Sequence, residues 1–119
     1  MPWTYSQTTG ALSHDNQPVT TGYSGTGIGR NNPVAQSIQN VGPVPTGTYT
    51  IGTAHHSSHT GPVTMNLNPQ AGTNTHGRSA FRIHGDNAAH NASHGCIILD
   101  HTARTTINNS TDRVLNVVP

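Results

Sequence analysis

The sequence predicts a mainly β fold, carrying one or two short helices, on three observations. Strong helix formers are scarce, with no lysine and no glutamate anywhere in the chain. Their place is taken by 13 glycines, eight prolines and abundant threonine and asparagine, residues of strands and turns. Apolar side chains also recur with period two, as in Val63, Met65 and Leu67 set against Thr64, Asn66 and Asn68.

At 119 residues the chain has the length of one domain, residues 1–119, with a single modest core. "WTYSQ" (3–7) alternates large and small side chains and reads as the first strand. After the turn "TTG", "ALSH" (11–14) returns, "DNQP" (15–18) turns again and "VTTGYSG" (19–25) extends. "GTGIGRNNP" (25–33) has the glycines of a phosphate loop but no suitable strand before it. Asn31, Asn32 and Pro33 block the helix that should follow, so a surface loop is expected. "NVGPVPTGTYTIG" (40–52) leads through a Gly-Thr turn into an alternating strand around Tyr49 and Ile51. "TAHHSSHTGP" (53–62) is expected to be a polar loop, with His55, His56 and His59 solvated. "VTMNLNP" (63–69) and "RSAFRIHG" (78–85) are the next strands. Asp100 is placed to cap a short helix over 101–108, and "DRVLNVV" (112–118) closes the domain as a strand.

Charged residues make up 8% of the chain and the net charge is +1, too little basic charge for a nucleic-acid footprint. The N-terminus shows no basic start or apolar segment of a secretory signal, and no apolar run is long enough to span a membrane. One cysteine, Cys96, excludes an internal disulfide.

Chemistry concentrates in "HGDNAAHNASHGCIILD" (84–100), which sets His84, His90 and His94 close to Cys96. Three readings compete: a metal site, a nucleophile with its base, or a polar loop rich in histidine. His84 ends a strand on whose one face lie Arg82 and His84, with Phe81 and Ile83 on the other. A glycine just before Cys96 allows a sharp turn that aims backbone N–H groups at a developing oxyanion. A histidine beside the thiol can take its proton to give a thiolate nucleophile. His84, His90, His94, Asp86 and Cys96 also include every ligand type zinc favours, so a zinc-binding module is the main rival. No CxxC or HExxH spacing accompanies them, however, and zinc leaves Ser93 and Gly95 unexplained.

"HGD…ASHGCIIL" resembles the signature of the YkuD-type L,D-transpeptidase superfamily, and "GPVPTGTYTI" is similar to the strand preceding that family's catalytic half. The opening "WTYSQTTGALSHDNQ…GYSGTGIGRNNP" resembles a narrower branch, the Tlde1-type effectors delivered by type VI secretion. Papain-like and NlpC/P60 hydrolases place cysteine before histidine. Sortases share the His-then-Cys order but need longer spacing and a downstream arginine.

The resemblance implies a compact L,D-transpeptidase-like β-sandwich or barrel and an antibacterial enzyme acting on stem peptides of peptidoglycan. Cys96 would form a thioester at the third stem residue and expel the terminal D-alanine. Water as acceptor gives an L,D-carboxypeptidase, and a D-amino acid gives exchange. His84 would be the base, the N–H groups of Gly95 and Cys96 the oxyanion hole, and Ser93 and His94 the rest of the motif, His94 acting through its backbone. No cofactor is implied. The implied partners are a cognate immunity protein and components of the secretion machine. The chain would be made in the cytoplasm and act in the periplasm of target bacteria. Many relatives carry arginine two residues after the cysteine, where Ile98 stands here. Arg82, beside His84, is the candidate to bind a substrate carboxylate in its place, with Gly85 as a second substrate-binding position. Asp86 is read either as an orienter of His84 or as the residue of a turn after Gly85. A non-catalytic peptidoglycan-binding domain is the remaining alternative.

Overall fold

The computed structural model describes residues 2–89 and 92–119; Met1, His90 and Asn91 lie outside the described residues. Among the described residues, ten strands and one α-helix follow one another: β1 (Trp3–Ser6), β2 (Ala11–His14), β3 (Gln17–Thr21), β4 (Tyr23–Ser24), β5 (Gly47–Ile51), β6 (His55–Ser57), β7 (Gly61–Pro69), β8 (Arg82–His84), β9 (Ile97–Ile98), α1 (His101–Asn108) and β10 (Val114–Val118). The domain is mainly β, as its composition implies.

Nine strands form one path in the order β3-β2-β1-β10-β5-β7-β8-β9-β4, with β6 paired to β7. Its two edges, β3 and β4, are consecutive in the chain and separated only by Gly22, so the sheet curls into a nearly closed barrel. The closure explains that glycine. Gly22 N–H donates to Gly10 O (2.8 Å), and a Cβ on Gly22 would stand 1.9 Å from Ile98 O. Three backbones meet there with no room for a side chain.

Alternation sets the core. Trp3 and Tyr5 of β1, Tyr49 and Ile51 of β5, Leu115 and Val117 of β10 are all buried, with intervening residues more exposed. Asp100 caps α1 as expected, its carboxylate accepting from Ala103 N (2.7 Å), and Ala103 and Ile107 turn into the core.

Three expectations change. The polar loop 53–62 contains β6, a short strand on β7 whose register shifts between His55 and Ser57. The alternation of β7 fails at its start: Val63 is half-buried with φ of 55°, whereas Thr64 is fully buried and bonds Gly61 O (3.0 Å) through its hydroxyl. A period-two pattern cannot anticipate a residue in the left-handed region. Residues 33–35 make a single 3-10 turn, with the Asn32 side chain accepting from Val34 N; Pro33 at its start needs no donor.

Candidate functional site

β8 and β9 run parallel, with Ile83 opposite Ile97 and His84 opposite Ile98. Ile83 and Ile97 face the core, so Arg82 and His84 lie on the other face of β8. Cys96 directly precedes β9, beside the Arg82 backbone.

His84 is buried, and its Nδ1 lies 2.8 Å from Gly85 O. A carbonyl only accepts, so Nδ1 carries the proton in the neutral ring and Nε2 keeps a lone pair. Burial lowers the imidazole pKa below its ordinary value, opposed by the Gly85 carbonyl and reinforced by the Arg104 and Arg82 cations. Cys96 is half-buried, its Sγ 3.9 Å from Ala80 O. Burial raises its pKa, against the pull of the Arg82 N–H and of the Arg82 and Arg78 cations.

The turn before the cysteine is built by hydroxyls. Ser93 is fully buried; its Oγ donates to Cys96 O (2.6 Å) and accepts from Gly25 N (2.8 Å) and Gly95 N (3.2 Å). Ser24 Oγ accepts from Val44 N (2.8 Å) and donates to Gly95 O (3.4 Å). Gly95 has φ of 122°, and a Cβ there would meet Arg78 Nη2 at 2.3 Å, so both backbone and space require glycine. Its N–H is engaged by Ser93 Oγ, which leaves the Cys96 N–H as the remaining candidate of the pair expected for an oxyanion.

Asp86 acts on the His84 ring through its charge and lines the same cleft, while the hydrogen bonds of its Oδ1 run to the loop. Its Oδ1 accepts from Tyr23 OH (2.6 Å) and Asn87 N (2.8 Å), and Tyr23 OH accepts in turn from Ala92 N (3.0 Å). Asp86 therefore braces the loop after His84, and the group touching Nδ1 is the Gly85 carbonyl. His94 is exposed, Nδ1 3.4 Å from Asn40 O. Arg82 is half-buried, with no hydrogen bond or ion pair to its guanidinium among the described residues. It lines a cleft of about 240 Å³ together with Arg78, Ala80 and Asn66. A larger cleft of about 660 Å³ lies against His84, walled by Thr26, His59, Thr60, Asp86 and His94.

Among the described residues, no three of His84, Asp86, His94 and Cys96 bring ligand atoms within 4.8 Å of one another. Among the described residues, His14, Asp15 and Asp112 form the one group of such ligands with atoms within 4.8 Å of one another, and none belongs to the Cys96 stretch. His90 lies outside the described residues.

A family model for the Tlde1 domain matches residues 19–118. The chain belongs to the Tlde1 domain family. Comparison with curated proteins gave no match. Membership points to a family of type VI effectors, and the matched span holds the whole barrel face described above except β1, β2 and the start of β3. The effector theme also brings a secretion-system context and an immunity partner. Among the described residues, no helix of this Tlde1 domain is long and apolar enough to cross a membrane.

Several residues of this Tlde1 face escaped the sequence reading: Tyr23, Ser24, Arg78 and Arg104. Arg78 is buried, donating to the carbonyls of Gln36 (2.6 Å), Gly42 (3.0 Å) and Pro43 (2.8 Å), directly behind Gly95. A signal was present, because five arginines with no lysine suggest that the planar fork, not charge alone, is needed.

Proposed function

We propose that this Tlde1 domain is a cysteine-dependent acyl transferase of peptidoglycan stem peptides, acting as an L,D-carboxypeptidase, an L,D-exchange transpeptidase or both. The observation that carries the reading is His84 at the end of β8, paired with β9, the strand that Cys96 directly precedes, with His84 Nδ1 committed to Gly85 O so that Nε2 is the free base.

His84 Nε2 takes the thiol proton as Sγ attacks the carbonyl of the diamino acid at stem position three. The oxyanion forms beside the Cys96 N–H, within the field of Arg78 and Arg82. Collapse breaks the C–N bond, and the proton on His84 passes to the leaving D-alanine amine, leaving a thioester on Sγ. Water or the amine of a D-amino acid then attacks, losing a proton to His84, and the C–S bond breaks to restore the thiol. Either product removes a donor for wall crosslinking. Arg82, cationic and without a carboxylate partner among the described residues, is the group to hold a substrate carboxylate. The domain would reach this substrate in the periplasm of target bacteria, and an immunity protein would guard the producing cell.

The test is mass spectrometry of tetrapeptide muropeptides incubated with wild type and Cys96→Ala, with and without added D-amino acid. Loss or replacement of terminal alanine by wild type alone is expected. Unchanged muropeptides from folded wild type would refute the reading.

A further inference from the structure

Arg104 has no part in the reaction as written, yet it is buried beside the site. Its Nε donates to Leu99 O (3.1 Å) and Asp100 O (3.3 Å), and its Nη1 to Pro62 O (2.7 Å) and Val63 O (3.5 Å). Every one of these acceptors is a backbone carbonyl. The guanidinium also lies against Gly85, where a Cβ would stand 2.8 Å from Nη2 and 3.1 Å from Cζ. Leu99 N–H in turn donates to His84 O (3.1 Å). One side chain of α1 thus joins the start of β7, the end of β9 and the peptide after His84.

The start of β7 needs such a hold. A β-branched residue at positive φ, as Val63 is, persists only where its surroundings over-determine it. The turn before it is fixed as well. Ser57 Oγ accepts from His59 N and Thr60 N (both 3.2 Å), and the Thr60 and Thr64 hydroxyls are 2.9 Å apart. These bonds keep His59 and Thr60 on the wall of the cleft facing His84.

We propose that Arg104 is a positioning residue for His84, clamping the Gly85 peptide so that Nδ1 stays on the Gly85 carbonyl and Nε2 remains the available base. The same clamp fixes the β6–β7 hairpin as the wall of the cleft. The catalytic meaning rests on the Cys96–His84 reading, but the clamp is measurable without turnover. The groups facing the ring are Arg104 from α1, Arg82 from β8, Asp86 from the following loop, and His59 and His94 across the cleft. Of these, only Arg104 is both buried and packed on Gly85.

The experiment is an NMR titration of the His84 imidazole, assigned by its loss in His84→Gln, in wild type, Arg104→Gln, Arg104→Lys and Gly85→Ala. Arg104→Gln removes both the cation and the clamp and should move the midpoint upward, whereas Arg104→Lys keeps the charge but not the fork that reaches four carbonyls and should also move it, by less. Gly85→Ala displaces the guanidinium and should also shift the midpoint, with non-additivity in the Gly85→Ala/Arg104→Gln double variant. An unmoved midpoint in Arg104→Gln overturns the proposal. Should that variant fail to fold, an unmoved midpoint in Gly85→Ala does the same. Wild type that leaves muropeptides intact while its His84 midpoint follows Arg104 would sink the acyl-transfer reading and spare the clamp.

Discussion

Replacing Ser93 by alanine tests whether the cysteine turn is held by a hydroxyl brace. Ser93 is fully buried and its Oγ serves three backbone groups: Cys96 O, Gly25 N and Gly95 N. Alanine removes the partner of all three and admits little water. An orphaned buried donor or acceptor costs about 1–3 kcal/mol, and local relaxation recovers part of it, so about 3 kcal/mol is expected for the set. For a domain of this length roughly 3–4 °C of Tm accompanies each kcal/mol, giving a fall of about 10 °C. Urea unfolding of wild type and Ser93→Ala, at equal m-value, reads the difference directly. A loss below about 0.5 kcal/mol, the size of an ordinary surface substitution, would refute the brace. Muropeptide turnover on the same samples separates two roles. Loss of activity at a temperature where the variant is fully folded shows that the brace also sets the Cys96 geometry, whereas unchanged activity confines Ser93 to stability.

Other residues give sharper tests of single interactions. Asp100→Ala deletes the cap on Ala103 N and the bond from Thr20 Oγ1 (2.9 Å), and should cost about 1 kcal/mol by urea unfolding, with Asp100→Asn recovering most of it. His84 is buried with its pKa below the ordinary value of about 6.5, so the unfolded chain binds its proton first. Stability from this group is therefore complete above about pH 6.5 and falls as pH drops below it. The slope of Tm against pH between about pH 5 and 7 should flatten in His84→Gln. Arg82→Ala should raise KM for a stem peptide bearing a free carboxylate and leave KM for its amidated analogue unchanged. Equal effects on both would remove Arg82 from substrate binding.

The fold was legible where local pattern and packing agree. Alternation placed β1 and β5, the turns on either side placed β2, and the capping aspartate placed α1. It failed where distant contacts decide. Val63 adopts positive φ, and its carbonyl and that of Pro62 meet an arginine more than 40 residues away; no window around 63 contains that arginine. Tyr23 and Ser24 read as ordinary strand residues, yet their hydroxyls reach Asp86 and Gly95, 63 and 71 residues on. At the site, the residue types and their spacing singled out Cys96 and His84, and the pairing of β8 with β9 sets His84 beside the strand that Cys96 precedes. The choice of Asp86 as orienter was open because His84, Gly85 and Asp86 are adjacent in sequence. Only the three-dimensional path of the loop decides that Nδ1 meets the nearer carbonyl while Tyr23 takes the carboxylate.

The protonation state of the pair before substrate arrives follows from the same packing. Burial is the largest influence on both groups, and it favours the neutral form of each: it lowers the His84 pKa and raises that of Cys96. A preformed thiolate–imidazolium pair needs the opposite ordering, and Arg82 and Arg78 do not overcome the desolvation of the thiol. The free protein should therefore hold a thiol and a neutral imidazole, with proton transfer coupled to attack on a bound carbonyl. Alkylation by iodoacetamide distinguishes the two states, because the thiolate is the reacting form. In the neutral case the Cys96 alkylation rate climbs with pH through and beyond the ordinary thiol range near about 8.5, and has no acid plateau. A rate that is flat from about pH 6 upward would mean an ion pair already formed, and would overturn the argument from burial. Under the neutral arrangement, a small exposed electrophile gains little from the site, while a stem peptide that excludes water and presents its carbonyl to Sγ gains the full benefit of His84.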